Sequence, residues 1–231
     1  MGTGYTASIK FLFVLVLFEM DIIPNFTVLE GGDGSGTTTQ MSLLAGRLKA
    51  AGKPFYSTFE PTDGHIGKII RRALKNEIKI KPQTLAFLFA SDRNEHLYGA
   101  DGILEHINCG ELVVSDRYAL SSLVYQGIEC GDELPWSLNS RFPAPETLIF
   151  LDVEPETALN RVKERSSREI YDYHEFQVKV REKYKTSFEI YRNAGVRVEI
   201  IDALKSTQEV ADRVWSIFLS MPIFKKGENS L

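Results

Sequence analysis

The chain has 231 residues, of which 43% are hydrophobic and 25% are charged, as is typical of one globular domain or two small ones with a hydrophobic core. Its 27 basic and 31 acidic residues give a net charge of −4, whereas a protein dedicated to duplex nucleic acid usually carries a basic surplus. The only two cysteines, Cys109 and Cys130, form neither a zinc quartet nor a disulfide framework, so we expect a reducing, cytoplasmic location.

The first segment is an apolar run, IKFLFVLVLF at residues 9–18. It is too short to cross a bilayer as a helix, and no small-residue cleavage site follows it. We therefore expect residues 1–19 to be a non-native or mis-called extension and the domain to begin at Met20. A membrane-attached protein that uses this run stays an alternative.

From residue 26 onward, strand-like apolar runs alternate with amphipathic stretches. The pattern predicts strands at 26–29, 54–58, 112–115, 147–152 and 197–201, and helices at 38–51, 172–194 and 207–219. Residues 83–108 predict one long helix or a broken pair, and the proline-containing segment 129–145 predicts an irregular connection with at most a short helix. This alternation favours a single doubly wound α/β domain over 20–224, with a frayed tail at 225–231.

A glycine-rich loop, EGGDGSGTTTQ at residues 30–40, lies between the first strand and a helix. In this context loop amides and the helix N-terminus bind phosphate, and Thr38 has the position of a magnesium-binding hydroxyl. The predicted phosphate-binding residues are Gly31, Gly32, Asp33, Gly34, Ser35, Gly36, Thr37, Thr38 and Thr39. Thr37 replaces the lysine of the pattern G-x-x-x-x-G-K-[ST], so a glycine-rich turn without a ligand remains the alternative for this segment alone.

Three more segments follow in a characteristic order: TFEPTDG at 58–64, FLFASDR at 87–93, and SDRYALSS at 115–122 with YQG at 125–127. Together with the loop they resemble the thymidylate kinase family, P-loop nucleoside monophosphate kinases that convert dTMP to dTDP. The resemblance runs from about residue 26 to 219. It implies a five-stranded parallel sheet with helices on both faces, an arginine-rich lid at about 161–175, ATP and dTMP as ligands, Mg²⁺, and a homodimer to which the stretch between Leu85 and Leu97 could contribute.

The same resemblance implies roles for individual residues around dTMP. Phe89 would stack on thymine, Arg93 would hydrogen-bond the base edge, and Tyr125 would crowd the sugar 2′ position and favour deoxyribose. The full set of implied dTMP-binding residues is Glu60, Pro61, Arg71, Phe89, Arg93, Arg117, Ser122, Tyr125 and Gln126.

Around the phosphates, Arg71 and Arg117 would hold the dTMP phosphate, and Asp33 would lie near that phosphate and the magnesium ion. Thr38 and Asp116 are the implied metal residues, with Asp116 orienting metal-bound water. Asp33 and Arg117 belong to the implied catalytic set.

The cation that Thr37 does not supply has to come from elsewhere, because phosphoryl transfer depends on electrostatic stabilisation of the transferred group. The resemblance points to lid arginines, Arg165 and Arg168 first and Arg161 third. Phe59 is a second departure, since bacterial relatives often carry arginine there. A catalytically weakened nucleotide-binding homologue and a kinase of another monophosphate stay open as alternatives.

Overall fold

The computed structural model describes residues 20–163 and 169–225. Its centre is a sheet of five parallel strands in the order β2-β3-β1-β4-β5. The strands are β1 (Ile22–Gly31), β2 (Phe55–Phe59), β3 (Leu112–Asp116), β4 (Ala144–Asp152) and β5 (Arg197–Asp202).

Helices connect the strands and flank the sheet. They are α1 (Thr37–Ala50), α2 (His65–Leu74), α3 (Pro82–Tyr98), α4 (Ile103–Asn108), α5 (Ala119–Cys130), α6 (Glu133–Asn139), α7 (Pro155–Lys163), α8 (His174–Asn193), α9 (Thr207–Leu219) and α10 (Pro222–Lys225).

The central strands are apolar because both faces of the sheet are covered. On one face, Leu44 of α1 and Val214 of α9 share a core cluster with Val114 and Ile149 of the sheet. On the opposite face, Phe150 belongs to a second cluster, which includes residues of α2, α3, α5 and α8. The predicted doubly wound architecture, with helices on both faces, is therefore confirmed.

All five predicted strands are present, and most are longer than predicted. The long helical region divides into α3 and α4 at Gly99–Gly102, where Asp101 has a positive φ of 58° and a Cβ on Gly99 would lie 2.4 Å from the Glu95 carbonyl oxygen. The connection 129–145 contains one short helix, α6, as expected. The helices α2, α5, α7 and α10 were not predicted as elements.

Several sequence-based expectations lie outside the described residues. These are the extension at 1–19, the lid arginines Arg165 and Arg168, and the tail from 226. Within the described ranges, no helix is long and apolar enough to cross a membrane.

Candidate active site

The glycine-rich loop leaves β1 at its carboxyl end and enters α1 at Thr37. The Ser35 N–H donates to the Gly32 carbonyl at 3.1 Å, which closes the turn. Gly34 and Gly36 have φ values of 85° and 97°, and a Cβ on Gly34 would lie 2.2 Å from the Ala158 carbonyl oxygen. Glycine is therefore required at position 34, both for the left-handed backbone and for the close approach of α7.

Asp33 is the charged residue of this loop, and two side chains hold it. Arg117 donates to Asp33 Oδ1 at 2.6 Å, and Gln177 of α8 donates to Oδ2 at 2.9 Å. Gln177 also accepts from the Asp33 backbone N–H at 3.3 Å and donates to the Tyr171 carbonyl at 3.0 Å. The loop carboxylate is thereby fixed between the arginine that follows β3 and the chain just before α8.

Arg117 occupies the turn between β3 and α5 with a positive φ of 71°. Its guanidinium lies 5.2 Å from the Tyr125 ring centroid and donates to Ser121 Oγ at 3.3 Å. Although burial opposes the charge, Tyr125 and Asp33 raise the pKa of Arg117 well above its ordinary value. Because arginine is charged at neutral pH in any environment, this side chain presents a positive charge beside the glycine-rich loop.

Thr38 and Asp116 meet at the carboxyl edge of the sheet. Thr38 Oγ1 donates to Asp116 Oδ2 at 2.9 Å, and the buried Oδ1 of Asp116 has no hydrogen-bond partner among the described residues. A hydroxyl and a carboxylate are the oxygen ligands that Mg²⁺ takes when substrate phosphates and water complete its shell. The described part of the chain contains no cluster of three or more His, Cys, Asp or Glu residues that could bind a metal alone.

A buried ionic network surrounds Glu60, just after β2. Arg93 of α3 donates to Glu60 Oε2 at 2.6 Å, and His96 contacts Oε1 at 3.0 Å. Arg93 also donates to Ser122 Oγ at 3.1 Å and to Asn139 Oδ1, and both members of the Arg93–Glu60 pair are nearly inaccessible, at 1% and 3% side-chain exposure. Arg93 therefore has a structural role, while its buried Nε has no hydrogen-bond partner among the described residues.

Arg71 lies on α2 and packs against the turn after β2. It donates to the Pro61 carbonyl, and its guanidinium lies 5.3 Å from the Phe59 ring centroid. Asp92 holds the same turn by accepting from the Thr62 N–H and hydroxyl, each at 2.7 Å. Phe59 is thus a cation–π partner for Arg71.

Many of these groups line one cavity of about 680 Å³. Its wall includes the predicted residues Gly32, Asp33, Gly34, Gly36, Thr37, Thr38, Thr39, Glu60, Pro61, Arg71, Phe89, Arg93, Asp116, Arg117, Ser122, Tyr125 and Gln126. Gly31 and Ser35 lie outside the lining: Gly31 pairs with Leu151 in the sheet, and Ser35 is buried below the loop. Arg161 contacts the Gly34 and Ala203 carbonyls, at 3.4 and 3.0 Å.

A family model described as thymidylate kinase matches residues 29–214. The chain belongs to the thymidylate kinase family. A putative thymidylate kinase of Treponema pallidum is 39% identical over 198 residues, which cover 84% of this chain and 95% of that protein. A probable thymidylate kinase of Pyrobaculum aerophilum is 37% identical over 201 residues, which cover 87% of this chain and 99% of that protein. A putative thymidylate kinase of Aeropyrum pernix is 37% identical over 185 residues, which cover 78% of this chain and 86% of that protein.

The sequence patterns of this thymidylate kinase family member did not identify four polar residues that hydrogen-bond to groups at the site. These residues are Glu30, Asp92, Asn139 and Gln177. Their partners lie between 30 and 154 residues away along the chain. A signal was present for Glu30 and Asp92, because each is directly next to a predicted site residue. Gln177 and Asn139 carried no such signal.

Proposed function

We propose that this chain phosphorylates dTMP to dTDP with ATP as the phosphate donor, by direct in-line transfer without a covalent enzyme intermediate. One observation carries the proposal: a single cavity is lined both by the phosphate loop and by the residues implied to bind dTMP. The Asp33–Arg117 contact of 2.6 Å joins these two halves. Donor and acceptor phosphates bound on the two sides would therefore meet, which is the main requirement for phosphoryl transfer.

On the donor side, the loop amides from Gly32 to Thr39 would bind the ATP phosphates at the N-terminus of α1. Thr38 and Asp116 fit a magnesium ion, because a hydroxyl oxygen lies against a carboxylate that has one buried oxygen with no partner among the described residues. When bound, Mg²⁺ would supply positive charge to the transferred phosphoryl group. The hydrogen bond between Thr38 and Asp116 would keep the two groups together for the ion.

On the acceptor side, Arg71 and Arg117 would hold the dTMP phosphate. Phe89 and Arg93 both line the cavity; Phe89 would stack on thymine, and Arg93 would hydrogen-bond the base edge. Ser122 and Gln126, both buried, would contact the ring, and the buried Tyr125 would exclude a 2′-hydroxyl. Glu60 and Pro61 would form the corner beside the sugar.

The missing loop lysine raises the question of charge compensation. Thr37 lines the cavity and is buried, and we propose that the lid arginines Arg165 and Arg168 close over ATP in place of the lysine. Substitution Thr37→Lys distinguishes this account from a weakened homologue. If the lid compensates, kcat changes by less than about threefold, whereas loss of an uncompensated electrostatic contact is worth about two orders of magnitude and the variant would then be far faster.

We also propose that the protein works as a homodimer in the cytoplasm, where Cys109 and Cys130 remain reduced. The stretch between Leu85 and Leu97 was suggested above as part of the dimer interface, but the side chains of Leu85 and Leu97 themselves are buried within the chain. The exposed apolar side chains of α3 are Phe87 and Tyr98, at 53% and 54% exposure. The dimer would therefore use this outer face of α3, and Phe87→Arg should shift the mass measured by light scattering toward the monomer.

The function is tested by comparing kcat/KM for dTMP, dUMP, dGMP and UMP at saturating ATP and Mg²⁺. We expect dTMP to be preferred, with UMP poorest because of Tyr125. A preference for any of the other three would overturn the assignment of Phe89, Arg93 and Ser122. ADP release at background level with all four would overturn the kinase itself.

A further inference from the structure

Glu30 is a buried carboxylate that the proposed reaction does not use directly. It lies on β1 immediately before Gly31, where the phosphate loop begins, and its exposure is 0%. A buried carboxylate is costly unless hydrogen bonds and charges compensate for the lost water, so its partners indicate what it holds in place.

The partners of Glu30 belong mainly to the first turn of α5. Oε1 accepts the backbone N–H groups of Tyr118 and Ser121, at 3.1 and 3.3 Å, and Oε2 accepts the Ser121 hydroxyl at 2.6 Å. Tyr184 of α8 donates its hydroxyl to Oε2 at 2.8 Å. The residue before α5, Tyr118, provides no side-chain cap, so Glu30 caps this helix from a neighbouring strand.

The capped turn contains the strained residue Arg117. A φ of 71° is uncommon for a residue with a side chain and persists only where the surroundings hold it. Two consecutive residues of β1 do so: the Leu29 carbonyl accepts the Arg117 N–H at 2.8 Å, and Glu30 fixes the next amide and the first turn of the helix. The Arg117 guanidinium then meets Asp33 at 2.6 Å.

We propose that Glu30 is a positioning residue for phosphoryl transfer. Its carboxylate holds the turn that directs Arg117 at Asp33, and so couples the start of the phosphate loop to the arginine of the acceptor phosphate. This inference rests on the proposed function, because it assigns dTMP phosphate binding to Arg117. A displacement of about 1 Å at a reacting centre can cost a hundredfold in rate, so loss of this cap should be visible in kinetics.

The test is a double-variant cycle with Glu30→Gln and Arg117→Ala in the full chain. Both dTMP binding, measured by calorimetry, and kcat/KM are determined for the four proteins. In the wild-type background we expect Glu30→Gln to weaken dTMP binding and lower kcat/KM by at least tenfold, with the KM for ATP within twofold. In the Arg117→Ala background the same substitution should weaken dTMP binding by less than twofold, because there is no arginine left to misplace.

An equal effect in both backgrounds, or none in the wild type, overturns the inference even if the enzyme is a fully active dTMP kinase. Absence of dTMP turnover by the wild-type protein is a different result, and it overturns the proposed function. If Glu30→Gln does not fold, Tyr184→Phe serves in the cycle, since it removes one hydrogen bond to Glu30. With Arg117 present, we then expect Tyr184→Phe to weaken dTMP binding two- to fivefold, and in the Arg117→Ala background we expect no weakening. Equal losses of dTMP binding in the two backgrounds overturn the inference.

Glu146 provides a matched control. Its carboxylate on β4 accepts the backbone N–H of Asn25, another residue with positive φ, at 2.8 Å, and neither residue lines the cavity. Glu146→Gln should leave kcat and dTMP binding within twofold of the wild type. A loss as large as that of Glu30→Gln would show that the effect is general destabilisation rather than positioning.

Discussion

The buried Arg93–Glu60 ion pair should contribute strongly to the free energy of unfolding, and a substitution of Arg93 tests this. Substitution Arg93→Leu removes the guanidinium and leaves the Glu60 carboxylate, at 3% exposure, without its charged partner. Removal of one member of a buried pair typically costs about 3–5 kcal/mol, because the remaining charge stays desolvated. At about 2–4 °C per kcal/mol for a domain of this size, the midpoint of thermal unfolding should fall by roughly 6–20 °C.

The free energy of unfolding is measured by urea denaturation, and Arg213→Leu is the control. Arg213 lies 3.4 Å from Glu199, its side chain is 58% exposed, and such pairs contribute about 0–1 kcal/mol. Adding Glu60→Gln to Arg93→Leu should restore at least about 1 kcal/mol of the free energy of unfolding, because it removes the buried charge that Arg93→Leu leaves unpaired. A loss below about 1 kcal/mol for Arg93→Leu, or no recovery in the double variant, would refute this reasoning.

Four further predictions concern the loop and its surroundings. Gly34→Ala should destabilise the protein by more than about 1 kcal/mol in urea denaturation, because φ is +85° and the new Cβ would lie 2.2 Å from a carbonyl oxygen; an unchanged midpoint would contradict the loop geometry. Gln177→Leu should lower kcat/KM for dTMP about tenfold, because it frees the loop carboxylate, and a change below twofold would argue against this role. Thr38→Ala should raise the Mg²⁺ concentration that gives half-maximal rate about tenfold and Thr38→Ser should restore it; equal Mg²⁺ titrations would exclude Thr38 as a ligand. Burial raises the pKa of Glu30 above its ordinary 4.5, so the stability that this group contributes is present below pH 4.5 and is lost as pH rises through the folded-state pKa. The free energy of unfolding of the wild type should therefore fall relative to that of Glu30→Gln as pH rises above 4.5, and a constant difference would contradict the raised pKa.

Local pattern was sufficient to predict the layout of the fold. Apolar runs such as 112–115 mark strands buried on both faces, and the residues just after them collect at the carboxyl edge of a parallel sheet. Asp116 and Arg117 follow such a strand, and the family resemblance implied that Asp33 lies with them around the phosphates. The break between α3 and α4 was less predictable, because it depends on how Gly99 approaches the Glu95 carbonyl.

The supporting contacts were not predictable, because they join residues that are distant in sequence and carry no periodic signal. Gln177 lies 144 residues from Asp33, and on pattern alone it is one polar position of an amphipathic helix. Arg93 was expected at the base edge, yet three of its contacts are to protein groups, which makes it part of the core as well. Sequence alone could identify many of the groups at the cavity wall, but not Ser121 or Tyr171, which also line it, nor the distant residues that hold the site.

Formation of dTDP from dTMP and ATP, followed by chromatography of the nucleotides, tests the central claim most directly. We predict that the wild-type protein converts dTMP to dTDP with one ADP released per dTDP formed, that omission of Mg²⁺ stops the reaction, and that Arg117→Ala lowers its kcat/KM by at least a hundredfold. No dTDP at saturating ATP and Mg²⁺, or full activity of Arg117→Ala, would contradict the account.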